Sequence, residues 1–129
     1  MAVTLNGEKY LSDPFTVNYT APATPTANIS LDKTDTVDFG SKEAGYSTAP
    51  AAQTVNITNS GTADTGTLTI ALDGANKNDF TLSKTSISNI AANGTDTFTV
   101  QPITGLTTGI YNATVKVSGT GVTEQSFNV

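Results

Sequence analysis

The sequence predicts an all-β protein: an antiparallel β-sandwich of about seven strands, preceded by an extra N-terminal hairpin. Three observations predict this class. Short segments alternate apolar and polar residues with period 2, and no window shows a convincing helical period. Roughly one residue in five is threonine, a β-branched type that suits a half-exposed strand. Gly, Asn and Asp residues supply turns between the segments.

The first predicted elements are a hairpin and one separate strand. Asn6-Gly7 stands between residues 3–5 and 8–10, and Asn-Gly is the strongest signal for a two-residue type I′ turn. Residues 15–19 alternate and predict a strand. Two prolines among the small residues of segment 20–26 then predict an extended, semi-rigid connector.

Alternation continues through the rest of the chain, with residues 40–52 expected to form a loop. Further strands are predicted, in chain order, at residues 29–31, 37–39, 53–59, 67–72, 80–82, 87–90, 95–100, 110–117 and 125–129. Seven or more short strands with turn signals about every 8–12 residues indicate an immunoglobulin-like sandwich. Its core is expected to include Phe39, Val55, Ile57, Leu68, Ile70, Phe80, Phe98, Val100, Tyr111, Val115 and Phe127.

The two ends of the chain are similar in sequence. Met1–Val17 aligns without a gap on Ala113–Val129, which places Gly7 on Gly119 and Phe15-Thr-Val17 on Phe127-Asn-Val129. Repetition at about the length of a domain indicates a tandem array, although two hairpins of similar polarity would give the same match. The sequence therefore predicts three parts. Residues 1–19 are the terminal strands of a preceding repeat, residues 20–27 a proline-containing linker, and residues 28–129 the immunoglobulin-like domain.

Composition disfavours several classes of function. Six basic residues against eleven acidic ones give a net charge of −5, which disfavours nucleic acid and anionic membranes as partners. No apolar run of about 18 residues occurs, so no membrane insertion is expected, and the first residues lack a signal-peptide pattern. The chain has no His and no Cys, which removes the usual zinc sites, thiol chemistry and the commonest general base. We expect no catalytic residue, no cofactor and no enzymatic activity.

One motif points to a structural role. Leu106-Thr-Thr-Gly109-Ile-Tyr111 has the form of a tyrosine corner, in which a Tyr at the start of a late strand donates its hydroxyl to the backbone slightly upstream. Gly109 would allow the close approach. The alternative is that Tyr111 is simply an aromatic residue at the edge of the core. Leu106, Gly109 and Tyr111 are structural residues in both interpretations.

Two acidic segments are candidate calcium sites. Residues 73–79 gather oxygen ligands in one loop, and Asp32, Asp35 and Asp38 form a second acidic patch. The spacing in the loop departs from the EF-hand pattern, and no bidentate Glu follows. Turn chemistry explains these residues more simply, so no metal site is predicted.

Lysines and tyrosines raise two further possibilities. An isopeptide bond to Asn or Asp would require a buried lysine, and the candidates are Lys9, Lys33 and Lys42. A sugar-binding surface would require exposed aromatic side chains, and the candidates are Tyr10, Tyr19 and Tyr46. The plainer interpretation is that these are ordinary surface residues.

A series of motifs occurs in a fixed order from Val37 onward. The series is Val37-Asp-Phe39-Gly40, Thr54-Val-Asn-Ile-Thr-Asn59-Ser-Gly61, Leu72-Asp-Gly-Ala-Asn76, Asp79-Phe80, Ile90-Ala-Ala-Asn-Gly94, Thr97-Phe-Thr-Val100, Pro102 and Gly109-Ile-Tyr111. This series resembles the bacterial immunoglobulin-like repeats of the ASPM–SPD-2–Hydin type, which occur in large cell-surface and secreted proteins. The resemblance covers residues 37–119, and the insert at residues 42–52 departs from it. It implies a spacer or interaction module, and the family has no shared catalytic residues to carry over.

Two functions are therefore expected to compete. The first is a non-catalytic repeat in a bacterial cell-surface or secreted protein, with neighbouring repeats of the same polypeptide as its partners. The alternative is an adhesion or carbohydrate-binding module that uses the loops at one end of the sandwich to bind a protein or glycan ligand.

Overall fold

The protein is a β-sandwich with a separate hairpin, seen in a computed structural model that describes the backbone of Ala2–Leu5 and Glu8–Leu11 and all of residues 16–129. The strands are, in chain order, β1 (Ala2–Leu5), β2 (Glu8–Leu11), β3 (Ile29–Leu31), β4 (Gln53–Asn59), β5 (Leu68–Asp73), β6 (Phe80–Leu82), β7 (Ser86–Ile87), β8 (Thr95–Pro102), β9 (Thr114–Gly119) and β10 (Val122–Asn128). The helical content of these residues is one 3₁₀ turn, Lys77–Asp79.

Two four-stranded sheets make up the sandwich, and every pairing is antiparallel. One sheet has the order β10-β9-β5-β7 and the other the order β3-β4-β8-β6, while β1 and β2 pair with each other. This architecture confirms the predicted all-β, immunoglobulin-like sandwich.

The core lies between the sheets because the alternating strands turn their apolar positions inward. Along β4, for example, Val55 and Ile57 are fully buried while Asn56 between them is exposed. Of the predicted core, nine members are buried as expected: Val55, Ile57, Leu68, Ile70, Phe80, Phe98, Val100, Val115 and Phe127. Phe39 and Tyr111 are only partly buried and pack against the edge of this cluster.

Two predicted strands are absent. Residues 37–39 form an irregular extended segment whose contact with a sheet is the hydrogen bond from the Val37 N–H to the Asn128 carbonyl, 2.9 Å. Since β3 pairs with β4 in the other sheet, the chain crosses here from one sheet to the other. Residues 16–19 are coil and exposed, because alternation alone cannot make a strand without a partner. Phe15 lies outside the described residues.

Two other strands are shorter than predicted because loops take over their backbone hydrogen bonds. β9 begins at Thr114 rather than near residue 110, since the Asn112 N–H donates to the Asn76 side chain in a neighbouring loop and not to a strand. β7 ends at Ile87, and Ile90 is buried in a turn where its N–H and carbonyl both bond to Thr65.

The hairpin registers bear on the internal repeat. β1 pairs with β2 from Leu5↔Glu8, which places their connection at residues 6–7. β9 pairs with β10 from Gly119↔Val122, which places that connection at residues 120–121. The gap-free alignment instead sets residues 6–7 on 118–119. The two hairpins therefore cannot be superimposed by that alignment. The part of the alignment that their registers do not affect is the Phe-x-Val match of residues 15–17 with residues 127–129.

The sandwich has two distinct ends. Asn59, at the end of β4, lies beside Ile29 at the start of β3 and the Gly94 turn before β8. We call this the Asn59 end. At the other end lie the start of β4, the end of β8 and Val129, which bonds through its backbone to Ala113. The chain thus enters the sandwich at one end and leaves it at the opposite end.

Candidate functional site

A groove of about 620 Å³ opens at the end of the sandwich opposite Asn59. We call it the end groove. Two loops, residues 36–50 and 102–112, form its walls, and Phe80 and Val129 lie between them. The apolar and aromatic side chains that line it are Val37, Phe39, Ala44, Tyr46, Pro50, Phe80, Pro102, Leu106, Ile110, Tyr111 and Val129.

Hydrogen bonds between the two loops hold the groove in shape. The Tyr46 hydroxyl donates to the Ile103 carbonyl. The Gly45 N–H donates to the Leu106 carbonyl at 2.9 Å, and the Gly105 N–H donates to the Tyr46 carbonyl at 2.8 Å. These three bonds satisfy backbone groups that have no strand partner, which is why a long insert can stay ordered. Residues 42–50, most of the predicted insert, thus form part of one wall of the groove.

Tyr111 stabilises the loop of residues 102–112 through a hydrogen bond within it. Its hydroxyl lies 3.0 Å from the Thr107 carbonyl, to which it donates, and 3.0 Å from the Thr107 hydroxyl. The bond runs four residues upstream, and Leu106 beside it is partly buried. A β-carbon on Gly109 would lie 3.4 Å from the Tyr111 ring, an ordinary contact, so the approach itself does not require a glycine.

The groove has the chemistry of a binding surface. Its charged lining residues, in the described part of the chain, are Asp38 and Lys42, and the Asp38 carboxylate accepts the Gly40 N–H at 2.7 Å. Ile110 stands at the rim with 87% of its surface exposed. A groove that mixes apolar, aromatic and polar side chains and has few charges suits a neutral ligand with both apolar and hydrogen-bonding groups.

Carboxylates in the two candidate calcium segments are engaged in local hydrogen bonds. Asp73 accepts the Gly74 N–H and the Lys116 ammonium, and Asp79 accepts the Asn76 amide. Asp32 accepts both the backbone and the side-chain N–H of Asn56. Within residues 16–129, no three acidic side chains come together as a metal site would need. The arrangement matches turn and cross-strand bonding.

Hydrogen bonds and lysines shift the pKa values of the surface carboxylates. The Lys84 ammonium and the Thr97 N–H lower the pKa of Asp96, and Lys116 with the Gly74 N–H lowers that of Asp73. Desolvation raises the pKa of Asp32, but the hydrogen bonds from Asn56 outweigh it and the net shift is downward. Asp73 in turn raises the pKa of Lys116.

The remaining candidate residues are not brought together. Lys33 is partly exposed and 3.6 Å from Asp32, and Lys42 is exposed at the groove, so neither has the burial that an isopeptide bond requires. Tyr19 is 79% exposed in the N-terminal segment, whereas Tyr46 is half-buried in the groove wall. The side chains of Lys9 and Tyr10 lie outside the described residues.

Asn59 is the residue that sequence reasoning missed. It is fully buried, and its carboxamide oxygen accepts the N–H groups of Asn28 and Gly61, each at 3.1 Å. Its amide nitrogen donates to the carbonyls of Ala63, Ile90 and Ala91 at 2.8–3.2 Å. The available signal was an Asn at an inward position of a strand, followed by Ser-Gly.

Gly61 explains how the N-terminal segment reaches this cluster. A β-carbon there would collide with the Thr26 carbonyl and lie 2.6 Å from the Asn28 nitrogen, both backbone atoms. Thr62 and Ser60 donate their N–H groups to Thr26 and Asn28, each at 2.8 Å. Within residues 16–129, hydrogen bonding between the N-terminal segment and the sandwich therefore begins at Thr26, inside the segment assigned to the linker. The division of the chain into three parts stays a prediction.

Comparison with known proteins shows similarity of fold. No protein-family model and no curated protein matches the sequence. An ASH/PapD-like domain of human CEP192 (PapD-like domain 7) superimposes with a TM-score of 0.53 at 13% identity, over 92% of this chain and 93% of that one. WR4, an MSP family member of C. elegans, gives a TM-score of 0.45 at 12% identity, over 78% and 94%. The CEP192 domain shares the immunoglobulin-like sandwich. In the described residues, no helix is long and apolar enough to cross a membrane.

Proposed function

We propose that this domain is a non-catalytic, immunoglobulin-like repeat that serves as an in-line spacer in a bacterial cell-surface or secreted multidomain protein. The observation that carries the proposal is that the N-terminal and C-terminal strands approach opposite ends of the sandwich. Thr26 and Asn28 bond to it at the Asn59 end, and Val129, just after β10, lies at the end groove. Repeats joined in this way extend the polypeptide rather than fold it back.

Two further observations support the proposal. The ordered motifs from Val37 to Tyr111 resemble the bacterial ASPM–SPD-2–Hydin repeats, and an ASH/PapD-like domain has the same fold. The eight residues of β8 at about 3.3 Å each give each repeat a strand layer roughly 26 Å long. A series of such units would hold a terminal domain away from the cell surface.

A tandem fusion tests the spacer. Two copies would be joined so that Val129 is followed directly by Asn18 of the second copy, as the Phe-x-Val match suggests. Small-angle scattering should give a maximum dimension close to twice that of the single chain. A fusion as compact as two domains packed side by side would contradict the proposal.

The end groove favours a second candidate, an adhesion or carbohydrate-binding module. Tyr46 and Tyr111 line the groove, and aromatic rings are suitable surfaces for a sugar. Their hydroxyls, however, are bonded within the protein to Ile103 and Thr107. A glycan array with the full chain separates the two functions. Specific binding that is lost in an Ile110→Ser variant would favour adhesion.

A further inference from the structure

The N-terminal segment carries exposed apolar side chains that have no place in this sandwich. Residues 16–25 are coil and exposed throughout, with Val17 71% and Tyr19 79% exposed. Two prolines in the segment favour an extended backbone. Exposed aromatic residues on a pre-extended segment can bind a partner at low cost in conformational entropy.

The end groove matches this segment in chemistry. Residues 16–26 contain no charged side chain. The groove walls carry prolines and aromatic rings, with Asp38 and Lys42 as their charged members. Grooves lined by aromatic residues are the usual binding sites of extended, proline-containing segments. A neutral segment would therefore bring no charge of its own into the groove.

In a tandem array, the connector to the next repeat would begin beside the end groove. Val129 lines the groove, and the Phe-x-Val match sets Val17 on Val129. In an array of such repeats, residues 18–25 of the next copy would thus follow Val129 directly. The same residues lead into the opposite end of the sandwich, where Thr26 and Asn28 are bonded to residues 59–63. A connector leaving one groove would enter the next repeat at its Asn59 end.

We propose that the end groove binds residues 18–25 of the following copy of this domain, with Tyr19 as the apolar anchor. The proposal rests on the tandem arrangement proposed above and adds a function to the groove. Docking of the connector on the groove would fix the angle between consecutive repeats and make the array stiff. Without it, consecutive repeats would be joined by a free hinge.

Intermolecular paramagnetic relaxation tests the contact in the full chain. The sequence has no Cys, so Ala23→Cys, at an exposed position of the connector, gives a single site for a spin label. The spin-labelled ¹⁴N chain would be mixed with a ¹⁵N chain that carries no spin label, so that only contacts between copies broaden the observed amides. In the array, the connector would be tethered to the groove at an effective concentration on the order of 1 mM. A contact that is well populated at that concentration should also be populated when two separate chains are each at about 1 mM.

The expected result is broadening confined to amides of the two groove loops, residues 36–46 and 106–112. Adding Tyr19→Ala to the labelled chain should reduce this broadening by at least about fivefold, equivalent to about 1 kcal/mol of lost apolar contact. Ile110→Ser in the observed chain should reduce it too, and the variant should fold because Ile110 is exposed. A label at Thr120→Cys, in the exposed β9–β10 turn, is the matched control and should leave the groove loops unbroadened.

Four outcomes would overturn the proposal. They are no broadening, broadening elsewhere on the sandwich, broadening insensitive to Tyr19→Ala, and broadening found only when label and ¹⁵N are in the same molecule. The scattering measurement on the fusion distinguishes failure of the docked connector from failure of the in-line spacer. An extended fusion without groove contacts would leave the spacer standing and remove the docked connector.

Discussion

Replacing Asn59 with alanine should destabilise the fold by about 3 kcal/mol. The side chain holds three segments together: the incoming chain at Asn28, the turn at Gly61–Ala63 and the loop at Ile90–Ala91. It is fully buried, and its bonds to Gly61 and Ile90 are buried as well. In residues 16–129 no buried side-chain nitrogen or oxygen lacks a partner. The change would thus break a fully satisfied cluster.

The magnitude follows from which partners are left without a bond. The Ile90 and Ala91 carbonyls keep the N–H groups of Thr65 and Gly94. The buried Gly61 N–H loses its acceptor, which costs about 1–3 kcal/mol. The Asn28 N–H and the Ala63 carbonyl also lose their partner but are nearer to water, so each adds roughly 0.5–1 kcal/mol.

Urea unfolding of the variant beside the parent chain measures this loss directly. Asn56→Ala is the matched control, because Asn56 lies on the same strand but is exposed, with one side-chain bond to Asp32. It should cost less than about 1 kcal/mol. A loss below about 1 kcal/mol for Asn59→Ala, or equal losses for both variants, would refute the assignment of Asn59 as the centre of a buried polar cluster.

Asn59→Asp tests the role of the donated hydrogen bonds, because aspartate has nearly the shape of asparagine but, when ionised, has no N–H to donate. The substitution keeps the acceptor for Asn28 and Gly61 but sets a carboxylate oxygen against three carbonyls. Burial and these carbonyls should raise the pKa of the introduced carboxyl in the folded state above its unfolded value of about 3.9. The stability of the variant relative to the parent should therefore be greatest below about pH 4 and fall as the pH rises through the folded-state pKa. Stability independent of pH, relative to the parent, would contradict the reasoning.

Four other predictions concern parts of the chain away from Asn59. Tyr111→Phe should cost about 1 kcal/mol in urea unfolding, the value of one partly exposed hydrogen bond; a loss below about 0.3 kcal/mol would mean that water replaces the Thr107 carbonyl. Deleting residues 1–24 should cost less than about 1 kcal/mol, whereas deleting residues 1–28 should cost over about 3 kcal/mol, since the second deletion removes the hydrogen bonds to residues 59–63; equal losses would place the edge of the fold elsewhere. Chelators should leave the melting temperature unchanged, and a shift of several degrees would reveal a calcium site. Because hydrogen bonds lower the pKa of Asp96 in the folded state, its contribution is present at neutral pH and is lost as the pH falls below about 4; a melting temperature that rises on acidification there would contradict this.

The periodicity of the sequence determined the class of fold and most of its core. Strict alternation at 53–59 and 95–100 places every second side chain on one face, and both segments are strands with their apolar positions buried. The pairing of β1 with β2 was likewise predicted, while the Asn6-Gly7 turn itself lies outside the described residues. These are local properties, since a pleated strand needs only its own residues to define which face is apolar.

Tertiary structure alone decided which alternating segments form strands and which loops contact each other. Residues 16–19 and 37–39 alternate as well, but neither is a strand, because a strand requires a hydrogen-bonding neighbour that its own sequence does not specify. The groove depends on bonds between loops some 57 residues apart, such as Tyr46 with Ile103, and the Asn59 cluster gathers three separate segments. Such contacts form only after the strands have paired, so residues of ordinary appearance acquire their roles from the fold.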